Sequence, residues 1–419
     1  MRREEEQVND GRPKLLVLAS TFPRWEGDTE PRFVESLSFE LAKNFDVVVL
    51  APHCRGAARR EEFVNAGVTI GVRRYRYCFA ALETLAYDGG MLSRVRQNPL
   101  RLLLLPLFLI AQLFAIVRLQ REFRFDAIHA HWIVPQGVVA AVLRTWSRSM
   151  PPVLVTSHGG DLYALRGRIL ERLKRWVLGK ADAVTVVSDA MREYCEQQGI
   201  APEWIIVQSM GVDLDSKFTP GDGEQARDGI IFVGRLVEKK GVAHLIEAMA
   251  LLADRYPDLS LKIVGDGPLR ESLETLAAKL GVQDRVNFTG SVLNEDVPDY
   301  LRGAAISVMP SVVASSGDQE GLGLVAVEAL GCGCAVVAFD LPAVRDTIRH
   351  GETGLMAKPG SAADLADKIA TLLDDDKLRA ELAETGRRHA LGKFNWKAVG
   401  ESYTNIITEL TEDARTVHR

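Results

Sequence analysis

From Lys14 onward, short β-rich apolar runs alternate with longer stretches in which apolar residues recur every three or four positions. The short runs predict strands at Lys14–Ser20, Asp46–Pro52, Val68–Tyr75, Asp126–Trp132, Val153–His158 and Ala183–Ser188, with helical patterns between most of them. That βαβ rhythm predicts a parallel, doubly wound sheet. Gly211–Gly229 turns polar, with Asp213, Asp215, Pro220, Gly221, Asp222 and Gly223. Such a cluster of turn formers predicts a linker. A second series of strands follows at Ile230–Val233, Leu261–Val264, Arg285–Thr289, Ile306–Met309 and Ala335–Phe339. The expected fold is therefore α/β, with two Rossmann-like parallel-sheet domains (1–210 and 229–394) joined by 211–228. Residues 395–419 read as a last amphipathic helix packing back on the first domain. In sheets of this kind ligands sit at the carboxyl ends of the strands, here in the cleft between the two halves.

One stretch of the second half stands out chemically. Gln319-Glu320-Gly321-Leu322-Gly323-Leu324-Val325-Ala326-Val327-Glu328 places two carboxylates around a Gly-rich turn that runs into a helix-forming segment. A helix starting near Gly323 would point unpaired N–H groups and a partial positive charge into the loop, a ready anion site. Eight helical residues rise about 12 Å, so Glu320 and Glu328 cannot serve one atom. They could grip two ends of one elongated ligand through its hydroxyls. The bland alternative is a solvated helix start with a first-turn Glu.

A chain of 419 residues is too long for one ordinary core. The net charge of −5 argues against a dedicated nucleic-acid binder. The five cysteines (Cys54, Cys78, Cys195, Cys332, Cys334) form no CxxC pair, so neither a disulfide framework nor a zinc site is expected, and a reducing, cytoplasmic setting fits. The charged Met1-Arg2-Arg3-Glu4-Glu5-Glu6 start, with no apolar segment before the first strand, does not read as a secretory signal. No G-x-G-x-x-G follows the first strand, which disfavours a dinucleotide dehydrogenase.

Between about Leu15 and Trp396 the chain resembles the retaining glycosyltransferases of the GT-B class, family-4 group. The resemblance rests on Phe22-Pro23 with Gly27-Asp28, Ser157-His158-Gly159-Gly160-Asp161, Val187-Ser188, Gly211-Val212-Asp213, Gly234-Arg235-Leu236, Lys240-Gly241, Val264-Gly265-Asp266-Gly267 and the Glu320…Glu328 element, all in the family's order. It implies an acceptor-binding first domain, a donor-binding second domain, and sugar transfer from a nucleoside-diphosphate sugar without metal or other cofactor. Arg235 and Lys240 would hold the diphosphate, with the amides of Gly323, Leu324 and Val325. Glu320 would take donor sugar hydroxyls, Glu328 the ribose, and His158 the donor sugar near the reacting carbon. Gly290 and Val292 would help form the base pocket, and Gly27 would lie near the diphosphate or acceptor. This chain has Gly-Leu-Gly where Gly-Phe-Gly is common, a single Gly27 where relatives carry paired glycines, and Cys332 and Cys334 flanking Gly333 where a Pro often stands. A nucleotide-sugar epimerase and a non-catalytic nucleotide-sugar scaffold are the alternatives.

Other candidates carry less. His129 and His131, two apart on a strand, share a face but lack further metal ligands and read as cleft-lining or structural. Asp213-Leu214-Asp215 reads as a chance turn. Asp161 is equally a helix cap. Leu102–Val117 is apolar, short of a bilayer span, interrupted by Pro106 and Gln112, and flanked by Arg94, Arg96, Arg101, Arg118, Arg121 and Arg124. With a basic helix over 166–180 it suggests an anionic membrane surface, and with it a lipid-linked or other sugar acceptor. The donor base, the sugar and the acceptor are not readable from the residues.

Overall fold

The computed structural model describes residues 11–417, apart from 26, 29, 148–149, 200–204 and 222–226. Asp222 and Gly223 of the expected linker lie outside the described residues. The first sheet contains β1 (Lys14–Leu18), β2 (Asp46–Pro52), β3 (Arg60–Asn65), β4 (Val68–Tyr75), β5 (Ala127–His131), β6 (Val153–Ser157), β7 (Ala183–Val186) and β8 (Ile205–Val207), in the order β3-β4-β2-β1-β5-β6-β7-β8. The second contains β9 (Ile230–Val233), β10 (Leu261–Val264), β11 (Val286–Gly290), β12 (Ile306–Met309), β13 (Ala335–Phe339) and β14 (Leu355–Ala357), in the order β11-β10-β9-β12-β13-β14. Every pairing is parallel except the β3–β4 hairpin.

The central strands are buried apart from Lys14 and Asp46 at the starts of β1 and β2, as the apolar runs of β1, β2, β6 and β13 require when helices cover both faces. Three strands were not expected. β3 is an exposed polar edge strand with no apolar run to mark it, and β8 and β14 are three residues each. The expected strand at Arg285–Thr289 lies one residue further on. The parallel α/β architecture with two sheets is as expected.

The helix Trp396–Val417 returns to the first half. Gly400 lies against Glu40 of the helix Phe33–Leu41, Tyr403 lies 5.4 Å from the His129 ring, and Gly211 lies under the Trp396 indole. The halves also meet where Arg166 donates to the Gly317 carbonyl at 2.8 Å and the Asp189 N–H donates to Asp346 at 2.9 Å.

The helical stretch Pro99–Phe123 spans 25 residues and is long and apolar enough to cross a bilayer, which corrects the shorter segment expected from sequence. Pro106 does not interrupt it, because it lies in the first turn of the helix Leu105–Phe123, where no N–H partner is needed. This helix is the crossover from β4 to β5, so both its ends are fixed to one sheet. Phe108, Gln112, Ile116 and Leu119 face that sheet, with Phe108 edge-on to Tyr75 and Tyr77.

Candidate functional site

β9 and β12 occupy the middle of the second sheet, and the candidate groups gather at their carboxyl ends. Arg235 stands two residues beyond the end of β9; it is exposed and makes no side-chain hydrogen bond or ion pair among the described residues. Lys240 closes a single helical turn, Glu238–Lys240, just before the helix Val242–Leu252. This turn is laced to the 315–320 loop. Ser315 donates its N–H and hydroxyl to Glu238 at 2.7 and 2.9 Å, and Lys239 Nζ lies 3.2 Å from Asp318 Oδ1. Lys239 is thereby committed to the scaffold, and Lys240 is left pointing at the site.

There Lys240 Nζ lies 2.8 Å from Glu320 Oε1. Burial alone would raise the Glu320 carboxyl, but Lys240, with Lys239 behind it, brings it below its usual range. The pair is therefore charged, and it fixes the lysine beside the next element. That element is the helix Leu324–Gly331. Its N-cap is Gly323, at φ 78° over Met309 and without a side-chain cap, so the first-turn amides of Leu324 and Val325 are the orphan donors of a helix start. A cation pair and a bare helix N-terminus at the carboxyl edge of one parallel sheet make a site for a diphosphate.

The Glu328 carboxyl has no hydrogen-bond or ion-pair partner among the described residues. Burial pushes its carboxyl up to about 7, against the pull of Lys217 and Lys240. A carboxylate held at this cost without a partner is poised to accept ligand hydroxyls. Lys217, from the stretch read only as a linker, is the cation that sequence reasoning missed. Nothing in its spacing marks it, because the fold alone brings it near Glu328.

Two outcomes are expected for Glu328→Gln. In the native protein nucleotide affinity should rise with pH through about 7 as Glu328 ionises, and in the variant that dependence should flatten and affinity fall. The ligand-free variant should also melt higher at pH 8. Between its unfolded value and about 7 the folded carboxyl holds a proton that the unfolded chain releases, so this group increasingly destabilises the fold as pH rises. Titration calorimetry and thermal melts at two pH values measure both effects.

In the first half, β6 delivers His158 to the cleft. Its backbone N–H donates to Asp161 Oδ1 at 3.2 Å, the Ser157 hydroxyl donates to the same oxygen at 2.9 Å, and the Ile133 N–H donates to Oδ2 at 2.6 Å. Asp161 is thus a buried bracket for the loop rather than a reacting group. His158 Nε2 is 3.0 Å from His131 Nδ1, the two rings stack at 5.2 Å, and Phe33 and Trp132 lie at 4.8 and 5.2 Å. Burial pushes the His158 imidazole down to about 3, so it is neutral at physiological pH. His131, read as cleft-lining or structural, is buried and holds His158. His129 is fully buried and bonds Thr156 Oγ1 at 2.7 Å. A Cβ placed on Gly159, at φ 96°, would stand 3.0 Å from Gly321 Cα, so the His158 loop and the Glu320 loop touch backbone to backbone.

The remaining candidates are spread around this contact. Gly290 ends β11 at φ 77°, with its carbonyl accepting from Gly265 N–H at 2.9 Å; Val292, two residues on, is partly buried. Gly27 has φ 75° with open space beside it, while Asp28 is consumed by Arg24 through bonds of 2.8 and 2.7 Å. Asp213 caps its own turn through Ser216 and Asp215 accepts from Asn395, so both have structural partners. Cys332 and Cys334 are fully buried behind the helix Leu324–Gly331, and burial pushes both thiols up.

Residues 223–389 match the family described as glycosyl transferases group 1, and residues 31–216 match glycosyltransferase family 4. The chain is 31% identical over 320 residues to the 2-deoxystreptamine glucosyltransferase of Streptomyces kanamyceticus, covering 68% of this chain and 80% of that one. It is 26% identical over 405 residues to a GDP-mannose-dependent α-(1-6)-phosphatidylinositol monomannoside mannosyltransferase of Mycolicibacterium smegmatis, covering 94% and 98%. In fold it is similar to sucrose-phosphate synthase from Thermosynechococcus elongatus, with TM-score 0.75, 22% identity, and 96% and 100% of the chains covered. It is also similar to Anabaena HepE in complex with UDP, with TM-score 0.69, 19% identity, and 94% and 100% covered. The chain belongs to the family-4, group-1 glycosyltransferases and has their GT-B fold.

Proposed function

We propose that the protein transfers a sugar, with retention of anomeric configuration and without a metal, from a nucleoside-diphosphate sugar to an acceptor in the inter-domain cleft. The observation that carries this is the grouping, at the carboxyl edge of the second sheet, of Lys240, the bare Leu324–Val325 helix start and Arg235, which has no partner among the described residues. Arg235 would fork onto the diphosphate and Lys240 would act as a point charge beside it. The charge they meet grows as the sugar–phosphate bond breaks, so they favour the transition state over the ground state. Glu328 would accept the ribose hydroxyls and Glu320 a hydroxyl of the donor sugar, with Gly290 and Val292 beside the base and Gly27 at the diphosphate or acceptor end. No further cofactor enters this scheme.

His158 is neutral, which suits it to orient and polarise the donor sugar rather than to shuttle a proton. In a front-face transfer the acceptor oxygen bonds to the anomeric carbon as the carbon–phosphate-oxygen bond breaks. The acceptor proton then passes to the departing diphosphate oxygen on the same face of the sugar.

The proposed acceptor is lipid-linked, a glycolipid or polysaccharide precursor, and the proposed place of work is the cytoplasmic face of the membrane. Relatives named for GDP-mannose and for a UDP complex leave the base to experiment. A thermal-shift panel of UDP, GDP and ADP tests the donor class, because a ligand that binds only the folded chain raises its melting point. One of them should stabilise the native protein and do so less with Arg235→Ala. Proton NMR of the product then tests retention; an inverted anomer overturns it.

A further inference from the structure

The helix Leu105–Phe123 buries one face and leaves the other bare. On the buried side lie Phe108, Gln112, Ile116 and Leu119. On the opposite side Leu107, Ile110 and Phe114 follow one another at helical spacing, Arg118 and Arg121 continue the line, and exposed Leu103 precedes it in the 3-10 stretch Pro99–Leu104. Leu103 is 75% exposed and Phe114 67%, and only 17% of the most apolar window of this stretch is buried. A contiguous apolar surface of this kind marks an interaction site.

A second feature adjoins its basic end. Phe114 and Arg118 form one wall of a cavity of about 580 Å³ whose other walls carry Arg59, Arg60, Arg73 and Arg76 from β3, β4 and their flanks. Arg60 and Arg73 stand directly opposite in the β3–β4 ladder, where like charges repel. Among the described residues Arg59, Arg60, Arg73 and Arg118 have no ion pair, and the Nε of Arg73 is buried without a hydrogen-bond partner. Burial and the adjacent Arg60 lower the Arg73 guanidinium, partly offset by Glu122 and Glu62. Of the nearby acids, Glu61 pairs with Arg74 and Glu83 with His53 and Arg76, so that only Glu62 and Glu122 remain to offset the arginines. An arginine cavity short of counter-ions, continuous with an apolar helix face, matches the two layers of an anionic bilayer, phosphate headgroups above acyl chains.

We infer that this cavity binds an anionic phospholipid headgroup while Leu103, Leu107, Ile110 and Phe114 enter the acyl layer. This deepens the membrane part of the proposed function, naming its surface and its lipid chemistry. The helix crosses from the carboxyl end of β4, so its apolar start lies at the same end of the sheet as the His158 loop. Docked in this way, the cleft would open next to the bilayer surface, where a lipid-linked acceptor resides. The basic helix Arg168–Leu178 is not needed for this site. Its Lys174 is turned inward, donating to the Leu162 carbonyl at 2.7 Å, which corrects its expected place on the surface. Arg94 and Arg101 of the expected flanking cluster likewise donate to the carbonyls of Thr84 and Arg94.

Vesicle flotation of the full chain tests the inference. Phosphatidylcholine vesicles containing phosphatidylglycerol should carry the protein at low salt and lose it at high salt, whereas pure phosphatidylcholine should carry little. Arg60→Glu with Arg118→Glu, and separately Leu103→Ser with Phe114→Ser, should each weaken binding about tenfold or more, with unchanged thermal melts and unchanged nucleotide binding. The inference is overturned by equal binding to neutral vesicles, by no binding to either, or by native-like binding of both variants. It is equally overturned if the Ser pair turns a concentration-dependent dimer into a monomer. Nucleotide binding measured on the same samples separates failure here from failure of the donor assignment.

Discussion

Replacing Arg235 or Lys240 by Ala should cut turnover about 100-fold or more, roughly 2.7 kcal/mol of lost transition-state stabilisation, the scale of removing one preorganised donor to a developing oxyanion. The two variants should differ in how the loss arises. Arg235 is exposed and has no protein partner among the described residues, so Arg235→Ala should leave the melting point of the ligand-free protein unchanged and act on nucleotide binding and catalysis. Lys240→Ala also strips the buried Glu320 of its counter-ion at 2.8 Å, and an unpaired buried carboxylate destabilises the fold. That variant should therefore melt lower, and more so as pH rises. Adding Glu320→Gln to Lys240→Ala should restore the melting point without restoring turnover. Steady-state kinetics and melts on the four proteins measure this, and near-normal transfer by both single variants would refute the assignment.

Gly159→Ala should lower turnover by a similar factor while the protein stays folded. Its φ of 96° disfavours any side chain, and the new methyl would press on Gly321 Cα at 3.0 Å. Nothing flexible stands in the way, because the neighbour is the backbone of the Glu320 loop. The two loops must separate, and His158 and Glu320 move apart with them. A misplacement of about 1 Å is enough to cost on the order of 100-fold when two groups must hold one substrate. Nucleotide binding by the second half should change far less, so kcat falls with little change in nucleotide Kd. Unchanged kcat would mean that the loops open and close independently of the chemistry.

The sequence was legible wherever one residue type and its local spacing decide the outcome. The central strands carry apolar runs, and the Gly-rich start of the Leu324–Gly331 helix announces a bare N-terminus whatever packs around it. Contacts made only by folding were not legible. His131 reaches His158 because β5 and β6 are neighbours with His131 opposite Thr156, a register absent from local pattern. Lys217 comes near Glu328 only once the chain leaves the first sheet. Lys240 reads from the sequence as a diphosphate ligand, but its pairing with Glu320 does not show there, because it joins two loops about 80 residues apart that Glu238 and Lys239 also tie together. The apolar run 102–117, bounded by Arg101 and Arg118, understates the helical stretch, which runs on to Phe123, and Pro106, which reads as an interruption, is harmless in a first turn.

The account rests on where a diphosphate settles. The most direct measurement is a crystal structure with UDP or GDP bound, whichever raises the melting point. It should show the two phosphates within hydrogen-bond reach of the Arg235 guanidinium, the Lys240 ammonium and the amides of Leu324 and Val325, with the ribose on Glu328. A nucleotide bound elsewhere, or turned so that its phosphates face away from Arg235 and that helix start, would contradict it.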